Sequence, residues 1–436
     1  MIEEYAIILL QDEELWALKS RLNAAAFGDR NTTYFHLSII VRRHRNKIRG
    51  IKNREGEWMF EEDQVREHIH RGFYDLYSTD LEKSCLNSPI SSFSCRFFLE
   101  EEQERIGREV LKEDIRVGLW ALKAFKAPGL NGLHAEFFQH FWHDVKQSVC
   151  DEIKNCFAQG CIQDYLNENL ITLIPKCQCP EILSHYRPIS LCNSIYKVIS
   201  KIIVGRIRSY LSNLITPLQA AFIPGRRDLD HALIAQEMIY ALDRKKGKNG
   251  YIAIKVDLEK VYDKLEWSFI HKVLQAFHFP LHLTKLIMSC VFTTSISILV
   301  NGSKMDNFLP SRGIRQGDPL SPCLFMLCMK FLTHLIEGKC VEGSWIPLRA
   351  SLGNTGISHF IFADALILFA KFIEEACEAI SEVLQVFCFK LGQKVSVDKS
   401  RICFSPNVDQ VKKEEVCEKL GIQSTSKFWK ISRLSP

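Results

Sequence analysis

The feature that most constrains this chain is the run 359–370, HFIFADALILFA, which places one carboxylate, Asp364, among β-branched and aromatic residues. A buried carboxylate without a partner is too costly to keep ionised, so Asp364 requires a cation, a hydrogen-bond donor or a water-filled cleft nearby. The run is too short, and too charged at its centre, to predict a membrane span. We interpret it as a buried strand whose carboxylate requires one of these partners.

A second β-rich run, Tyr251–Asp257, also ends in a carboxylate, and the sequence from Leu258 to Ile270 predicts a helix directly after it. If the two runs are neighbouring strands, Asp257 and Asp364 can converge on a divalent cation, and oxygen-only ligation suits Mg²⁺. Two-metal phosphoryl transfer uses carboxylates in this way, with the ions about 3.5–4 Å apart. Without the second strand, a helix N-cap would be the favoured interpretation of Asp257.

Basic residues are concentrated locally. The net charge of +5 over 436 residues does not by itself indicate nucleic-acid binding. The segment 42–49, however, contains Arg42, Arg43, Arg45 and Lys47 and is the strongest phosphate-binding candidate by charge. The alternative is a solvated basic helix end.

Further cations lie at the ends of predicted elements. Lys176 ends a predicted strand that begins at Leu170, and Arg187 begins the next apolar segment. Together they could hold a triphosphate, although each alone fits an ordinary surface charge better. Arg226 lies in a turn after an amphipathic helix predicted over residues 194–214.

The segment 313–322, GIRQGDPLSP, precedes a long apolar helix predicted over Cys323–Ile336. Its glycines permit close approach of a ligand to the backbone, and its prolines set a rigid entry into the helix. As a generic pattern it could be only a loop and cap.

The remaining patterns concern organisation. The sequence predicts two short strands around a turn at residues 52–58, a linker at 81–96, and one helix from Glu100 to Phe125. Scattered cysteines and the absence of a signal-like N-terminus predict a reduced, intracellular protein. Cys177 and Cys179 lack a second ligand pair at zinc-finger spacing, so loop thiols are favoured over a zinc site.

Taken in order, these motifs resemble the reverse transcriptase domain of non-LTR (LINE-type) retrotransposons, most closely those of plants. Residues 254–263, IKVDLEKVYD, resemble the first catalytic motif, and residues 313–325 the glycine-rich motif. Residues 362–365, FADA, stand where an aromatic-Ala-Asp-Asp sequence belongs, and residues 392–400, with Lys399, resemble the motif that follows.

The resemblance implies an α+β fold: a right-hand polymerase with fingers, and a palm built on an antiparallel sheet with packed helices, the thumb being truncated or missing. Its implied divisions are a basic, helical region at 1–80, a linker at 81–99, fingers at 100–250, a palm at 251–427 and a divergent tail at 428–436.

The implied activity is RNA-directed DNA polymerisation with Mg²⁺ or Mn²⁺, held by Asp257 and Asp364. Its partners would be an RNA template, a DNA primer and deoxynucleoside triphosphates, in the nucleus or cytoplasm and without a membrane. The residues implied to bind the nucleotide are Lys176, Arg187, Tyr262, Gln316, Gly317 and Lys399, and those expected to bind nucleic acid are Arg42, Arg43, Arg45, Lys47 and Arg226. Tyr262 would obstruct a 2′-hydroxyl and so select deoxynucleotides.

Several positions depart from the family pattern. Ala365 replaces the second aspartate, so the chain is expected to have weak or no activity, and the alternative is a catalytically silent nucleic-acid-binding remnant. Asn131 and His231 also replace usual residues. No endonuclease segment precedes residue 1, which predicts a fragment of a larger product, and the tail after Lys427 is interpreted as a frameshift.

Overall fold

The computed structural model describes residues 5, 8, 32–79, 96–219, 221–350, 355–362 and 365–425. Asp364 lies outside the described residues, as do most of the predicted linker and the divergent tail. The described residues form a mixture of helices and sheets, as the α+β prediction requires.

The first described elements form a small unit around a two-stranded sheet. They are α1 (Thr32–Asn46), β1 (Ile51–Lys52), β2 (Trp58–Met59) and α2 (Glu62–Tyr77). The predicted turn between two short strands is confirmed, with Ile51 opposite Met59. Apolar residues of α2 recur at helical spacing and pack on the strands of a neighbouring sheet, which ties this unit to the rest of the fold.

Helices dominate the next region. They are α3 (Glu100–Gly107), α4 (Lys112–Trp120), α5 (Ala135–His140), α6 (Trp142–Gln159) and α7 (Asp164–Asn167). The prediction of one helix from Glu100 to Phe125 is wrong, because the chain is extended at Arg108 and Leu111. The Asp114 carboxylate accepts the Leu111 N–H at 3.1 Å and caps a new helix start.

The first four-stranded sheet has the order β4-β3-β6-β7. Its strands are β3 (Glu168–Pro175), β4 (Tyr186–Cys192), β6 (Ser295–Val300) and β7 (Ser303–Lys304). β3 pairs antiparallel with β4 and parallel with β6. After β4, the helix predicted over 194–214 is divided into α8 (Ser194–Arg208) and α9 (Leu211–Leu214) by a tight turn in which Tyr210 N–H donates to the Ile207 carbonyl at 2.9 Å.

The second four-stranded sheet is antiparallel throughout, with the order β10-β5-β9-β8. Its strands are β5 (Tyr251–Asp257), β8 (His359–Phe362), β9 (Ala365–Lys371) and β10 (Arg401–Phe404). The opening run is therefore a hairpin and not one strand, with Phe362 paired to Ala365. Both strands are largely buried, so the apolar pattern is the same on either side of Asp364 and does not show where one strand ends and the next begins.

Helices cover this sheet on both faces. One face, including Ala253 and Phe369, packs on α10 (Asp228–Asp243), while the other, including Ile254 and Leu368, faces the main core. The helices that complete the fold are α11 (Trp267–Ala276), α12 (Leu281–Phe292), α13 (Ser321–Val341), α14 (Glu374–Leu391) and α15 (Gln410–Leu420). Burial on both faces explains the continuous apolar character of β5 and β9.

Two details bear on the site. The helix predicted to follow Asp257 directly is wrong, because residues 258–266 form turns and Lys260 adopts a left-handed conformation with φ of 47°. The long helix predicted at Cys323–Ile336 is confirmed by α13. Among the helices that the structure describes, none combines the length and the apolarity that a bilayer crossing requires.

Candidate active site

Asp257 ends the central strand of the antiparallel sheet and is 6% exposed. Its register partner on β9 is Ala365, and residues directly opposite in an antiparallel pair project from the same face of the sheet. Ser400 and Ser396 fix the Asp257 backbone, since the Asp257 N–H donates to Ser400 Oγ at 3.2 Å and its carbonyl accepts Ser396 N–H at 2.8 Å. The residue before Ala365, Asp364, lies outside the described residues.

Two nearby acids have other partners. Glu259 forms an ion pair with Lys264 at 3.4 Å. Asp263 is 1% exposed and accepts hydrogen bonds from Tyr77 and Gln316. Across the described ranges, no three His, Cys, Asp or Glu side chains are grouped closely enough to hold one metal ion. Asp257 lies at the end of β5, where the sequence predicts a carboxylate.

Cations gather beside this sheet edge. Burial lowers the pKa of Lys176, and the charges of Lys260, Lys399 and Arg187 lower it further, while Asp263 opposes them. The β3–β4 register places Arg187 opposite Ile174, two residues before Lys176. Three residues predicted from separate motifs are therefore brought close together, with Lys260 as a fourth.

The glycine-rich loop is pinned between the two sheets. The Gln316 carbonyl accepts Ser190 N–H of β4 at 2.8 Å, and its side-chain amide donates to Asp263 at 2.9 Å. Gly317 has φ of +111°, and an added Cβ would lie 3.1 Å from the Ser190 carbonyl oxygen. Glycine is required here for both conformation and close approach.

Tyr262 connects the same loop to the strand that carries Asp257. Its ring stacks on Phe325 of α13 at 5.3 Å, and its carbonyl accepts Ile314 N–H at 2.7 Å. The segment after β5 and the glycine-rich loop consequently hold each other in place.

The elements that form this site also lie in the part of the chain that matches a known protein family. Residues 174–424, which include the cation cluster, both strands and the glycine-rich loop, match the family described as reverse transcriptase (RNA-dependent DNA polymerase). This chain belongs to that family. The prediction of a reverse transcriptase domain from the order of the motifs is confirmed, while the finer assignment to plant elements stays a prediction.

Individual proteins are also similar to this chain. The chain is 24% identical over 390 residues to the transposon TX1 uncharacterized 149 kDa protein of Xenopus laevis, covering 88% of this chain and 29% of that protein. It is 25% identical over 337 residues to the Pol polyprotein from type-2 retrotransposable element R2DM of Drosophila melanogaster, covering 77% of this chain and 30% of that protein. An uncharacterized Arabidopsis thaliana mitochondrial protein, AtMg01250, is 42% identical over 66 residues, covering 15% of this chain and 54% of that protein. This reverse transcriptase chain spans about three tenths of the length of the first two relatives.

The basic segment lies next to the cation cluster of the reverse transcriptase domain. A cleft of about 300 Å³ is lined by Arg42, Arg45 and Asn46 at the end of α1 and by Lys176 at the end of β3. Arg43 and Lys47 are exposed on the same segment and do not line the cleft. The structure therefore places Arg42 and Arg45, two of the four cations of the basic segment, in the same cleft as Lys176, a residue predicted to bind the nucleotide.

Arg226 differs from the sequence expectation. Its two terminal guanidinium nitrogens donate to four backbone carbonyls, those of Ser212, Ile215, Thr216 and Gln219, at 2.5–3.0 Å. The groups that would bind a phosphate are thus engaged within the protein, where they close the turn after α9. Nothing in the sequence distinguishes this arginine from its neighbour Arg227.

We expect Arg226→Ala to lower the free energy of unfolding by about 2–4 kcal/mol, because it leaves several carbonyls without their donor. Arg227→Ala, the matched control, removes the same charge from an exposed side chain and should change stability by less than about 0.5 kcal/mol. Urea denaturation measures both. Equal stability of the two variants, with RNA affinity lost only in Arg226→Ala, would instead support the phosphate role.

Sequence reasoning missed two residues of the site. Lys260 falls within the helix predicted from Leu258 to Ile270, and Asp263 is not among the predicted site residues. The sequence signal for Lys260 is its position, three residues after Asp257 in a motif that was identified by its carboxylates. No local signal identifies the partners of Asp263, because Tyr77 lies 186 positions away.

Proposed function

We propose that this chain is the RNA-directed DNA polymerase domain of a plant LINE-type, non-LTR retroelement, with activity weakened by Ala365. The β10-β5-β9-β8 sheet and its helices correspond to the palm, and the preceding segments to the fingers. One observation carries the proposal: Asp257 ends the central strand opposite Ala365, the residue that follows Asp364 in the chain. The relatives whose names refer to a transposon or retrotransposable element support the assignment to a retroelement.

The donor chemistry at the β5 end fits a hard divalent cation. Asp257 supplies a largely buried carboxylate oxygen, and Asp364 would supply a second, since consecutive Cα atoms lie about 3.8 Å apart and its neighbour faces Asp257. Mg²⁺ or Mn²⁺ bound there would activate the primer hydroxyl and stabilise charge on the phosphoryl group. The chain's own contribution would be to hold the Asp257 carboxylate at the end of β5, opposite the residue that follows Asp364.

The cation cluster would bind the triphosphate of the incoming nucleotide. Burial and the charges of Lys260, Lys399 and Arg187 lower the pKa of Lys176, so a polyanion placed among these cations would relieve their repulsion. Gln316 and Gly317 border the same space through their contacts with β4 and Asp263. Tyr262, held on Phe325, would occlude a 2′-hydroxyl and favour deoxynucleotides.

The cleft beside Lys176 would hold the RNA template backbone. Its arginines and lysine are phosphate-binding groups, and the cleft opens next to the proposed triphosphate position. Phosphate contacts of this kind act without sequence preference and weaken as salt rises. Arg43 and Lys47 would add to the attraction at longer range.

For the template cleft, we expect Arg45→Ala to weaken RNA affinity and to reduce the magnitude of the slope of log affinity against log salt by about 1. Fluorescence anisotropy of a labelled RNA at several salt concentrations measures this slope. Lys412→Ala on α15, which removes an exposed charge away from the cleft, is the control and should leave the slope unchanged. Identical slopes for both variants would remove Arg45 from the RNA path.

Primer extension on an RNA template, with Mg²⁺ or Mn²⁺, tests the function itself. Extension that requires the metal and deoxynucleoside triphosphates supports the polymerase. Tight RNA binding without any extension would instead favour a silent nucleic-acid-binding remnant. The substitution Ala365→Asp distinguishes a polymerase weakened by Ala365 from a nucleic-acid-binding protein without polymerase activity.

A further inference from the structure

Helix α2 lies outside the residues 174–424 that match the family, yet its last residue is fixed to the glycine-rich loop. Tyr77 is 4% exposed, and its backbone carbonyl accepts the N–H groups of Ser311 at 2.9 Å and Arg312 at 3.1 Å. Arg312 returns the contact, since its Nε donates to the Leu76 carbonyl at 3.0 Å. The end of α2 therefore sets where the loop begins.

The Tyr77 side chain is linked to the same loop through Asp263, which lies in the segment after β5. Its hydroxyl donates to Asp263 Oδ1 at 3.1 Å, and Gln316 Nε2 donates to the same oxygen at 2.9 Å. Asp263 is 1% exposed, so these two donors are much of what replaces water around its carboxylate. Tyr77, Asp263 and Gln316 form one continuous hydrogen-bond network.

Packing leaves these three hydrogen-bonded side chains little freedom to move. Gly313 lies between them, and a Cβ added there would stand 2.6 Å from the Asp263 carbonyl oxygen and 3.0 Å from Tyr77 Cδ1. Burial raises the pKa of Asp263, and the charge of Lys260, which lies over the Phe73 ring of α2 at 5.8 Å, opposes this shift. Two side chains of α2 thus contact residues of the proposed nucleotide site.

The hydrogen bonds also decide the orientation of the Gln316 amide. Because Asp263 accepts from Nε2, the amide oxygen points away from Asp263. The opposite orientation would set the Gln316 amide oxygen against Asp263 Oδ1, the oxygen that also accepts from the Tyr77 hydroxyl. The loop consequently offers an acceptor, rather than a donor, on its other side.

We propose that Tyr77 is a positioning residue: through Asp263 it fixes the Gln316 amide so that its oxygen accepts a hydrogen bond from the incoming nucleotide. The inference rests on the proposed function of this site. It extends the nucleotide site to a helix that precedes the region matched to the family.

Tyr77→Phe tests the proposal, because it removes the hydroxyl and keeps the ring against Phe73 and Phe308. The matched control is Tyr74→Phe, which removes a hydroxyl from the same helix at a residue 48% exposed. The readouts are the dissociation constants of dTTP with Mg²⁺ and of poly(rA)·oligo(dT), and the ¹⁵N-edited signal of the Gln316 side-chain amide. None of them requires turnover.

Tyr77→Phe is expected to weaken dTTP binding by about threefold to tenfold, the effect of losing one buried hydrogen bond. It should also shift the Gln316 amide signal and leave poly(rA)·oligo(dT) affinity unchanged, whereas Tyr74→Phe should alter none of the three. A general structural defect would weaken both affinities together and would overturn the positioning role.

Asp263→Asn provides a second test that does not depend on how Tyr77→Phe folds. It keeps the side-chain shape and removes the charge, so it should shift the Gln316 amide signal and weaken dTTP binding at least as much. Unchanged dTTP affinity and an unmoved amide signal in both variants would overturn the link. A wild-type chain that binds no dTTP overturns the proposed function, while the amide signal still reports whether Tyr77 positions Gln316.

Discussion

Asp257→Asn should reduce RNA-templated primer extension by at least about 100-fold, because it removes an anionic ligand whose loss costs several kcal/mol of transition-state stabilisation. Asparagine is nearly the same size, and the backbone of Asp257 is held by Ser400 and Ser396 independently of the side chain. The fold should therefore persist. Single-nucleotide incorporation, measured beside thermal unfolding, separates lost chemistry from lost structure.

Asp306→Asn is the matched control for this effect. Asp306 is an exposed carboxylate close to the strands of the other sheet, so its neutralisation changes the net charge equally. It should leave incorporation within about twofold of the wild-type rate. Equal incorporation by Asp257→Asn and Asp306→Asn would show that Asp257 holds no reacting metal.

Ala365→Asp should raise the incorporation rate by about 10–100-fold, equivalent to about 1.4–2.7 kcal/mol. Ala365 is the register partner of Asp257, so the new carboxylate would have its Cβ about 5 Å from that of Asp257. Two acids so placed repel each other without a metal and bind a divalent cation better together.

The same substitution makes a second, independent prediction about stability. Without divalent metal, Ala365→Asp should unfold at a lower temperature than the wild type, and added Mg²⁺ should recover the difference through binding to the folded state. Ala365→Asn, which has a similar volume and no charge, should show neither the rate increase nor the metal response. A metal response shared by both variants would exclude charge as its cause.

The sequence predicted the elements that lie on strong local patterns. β5 begins and ends where the β-rich run does, and the hydrophobic helix after the glycine-rich loop is present as α13. The motif order was enough to predict the family and to select Asp257, Lys176 and Arg187. These features depend on neighbouring residues, which a sequence shows directly.

What the sequence could not show depends on contacts between distant segments. The run containing Asp364 forms two strands, β8 and β9, which continuous burial makes look like one. The helix expected after Asp257 is replaced by turns that are hydrogen-bonded to the glycine-rich loop. Arg226 and Arg227 are indistinguishable in sequence, although only Arg226 is shown donating to backbone carbonyls within the described residues. Tyr77, Asp263 and Gln316 meet only because two sheets and α2 pack together.

The central claim is that the carboxylates of Asp257 and Asp364 hold the metal that drives nucleotide transfer. Its most direct measurement is single-nucleotide incorporation on one RNA template by the wild type, Ala365→Asp, and Ala365→Asp combined with Asp257→Asn. We expect incorporation to rise in the first variant and to be lost in the second. Incorporation that is unchanged by Ala365→Asp, or that survives Asp257→Asn in the combined variant, would contradict the claim.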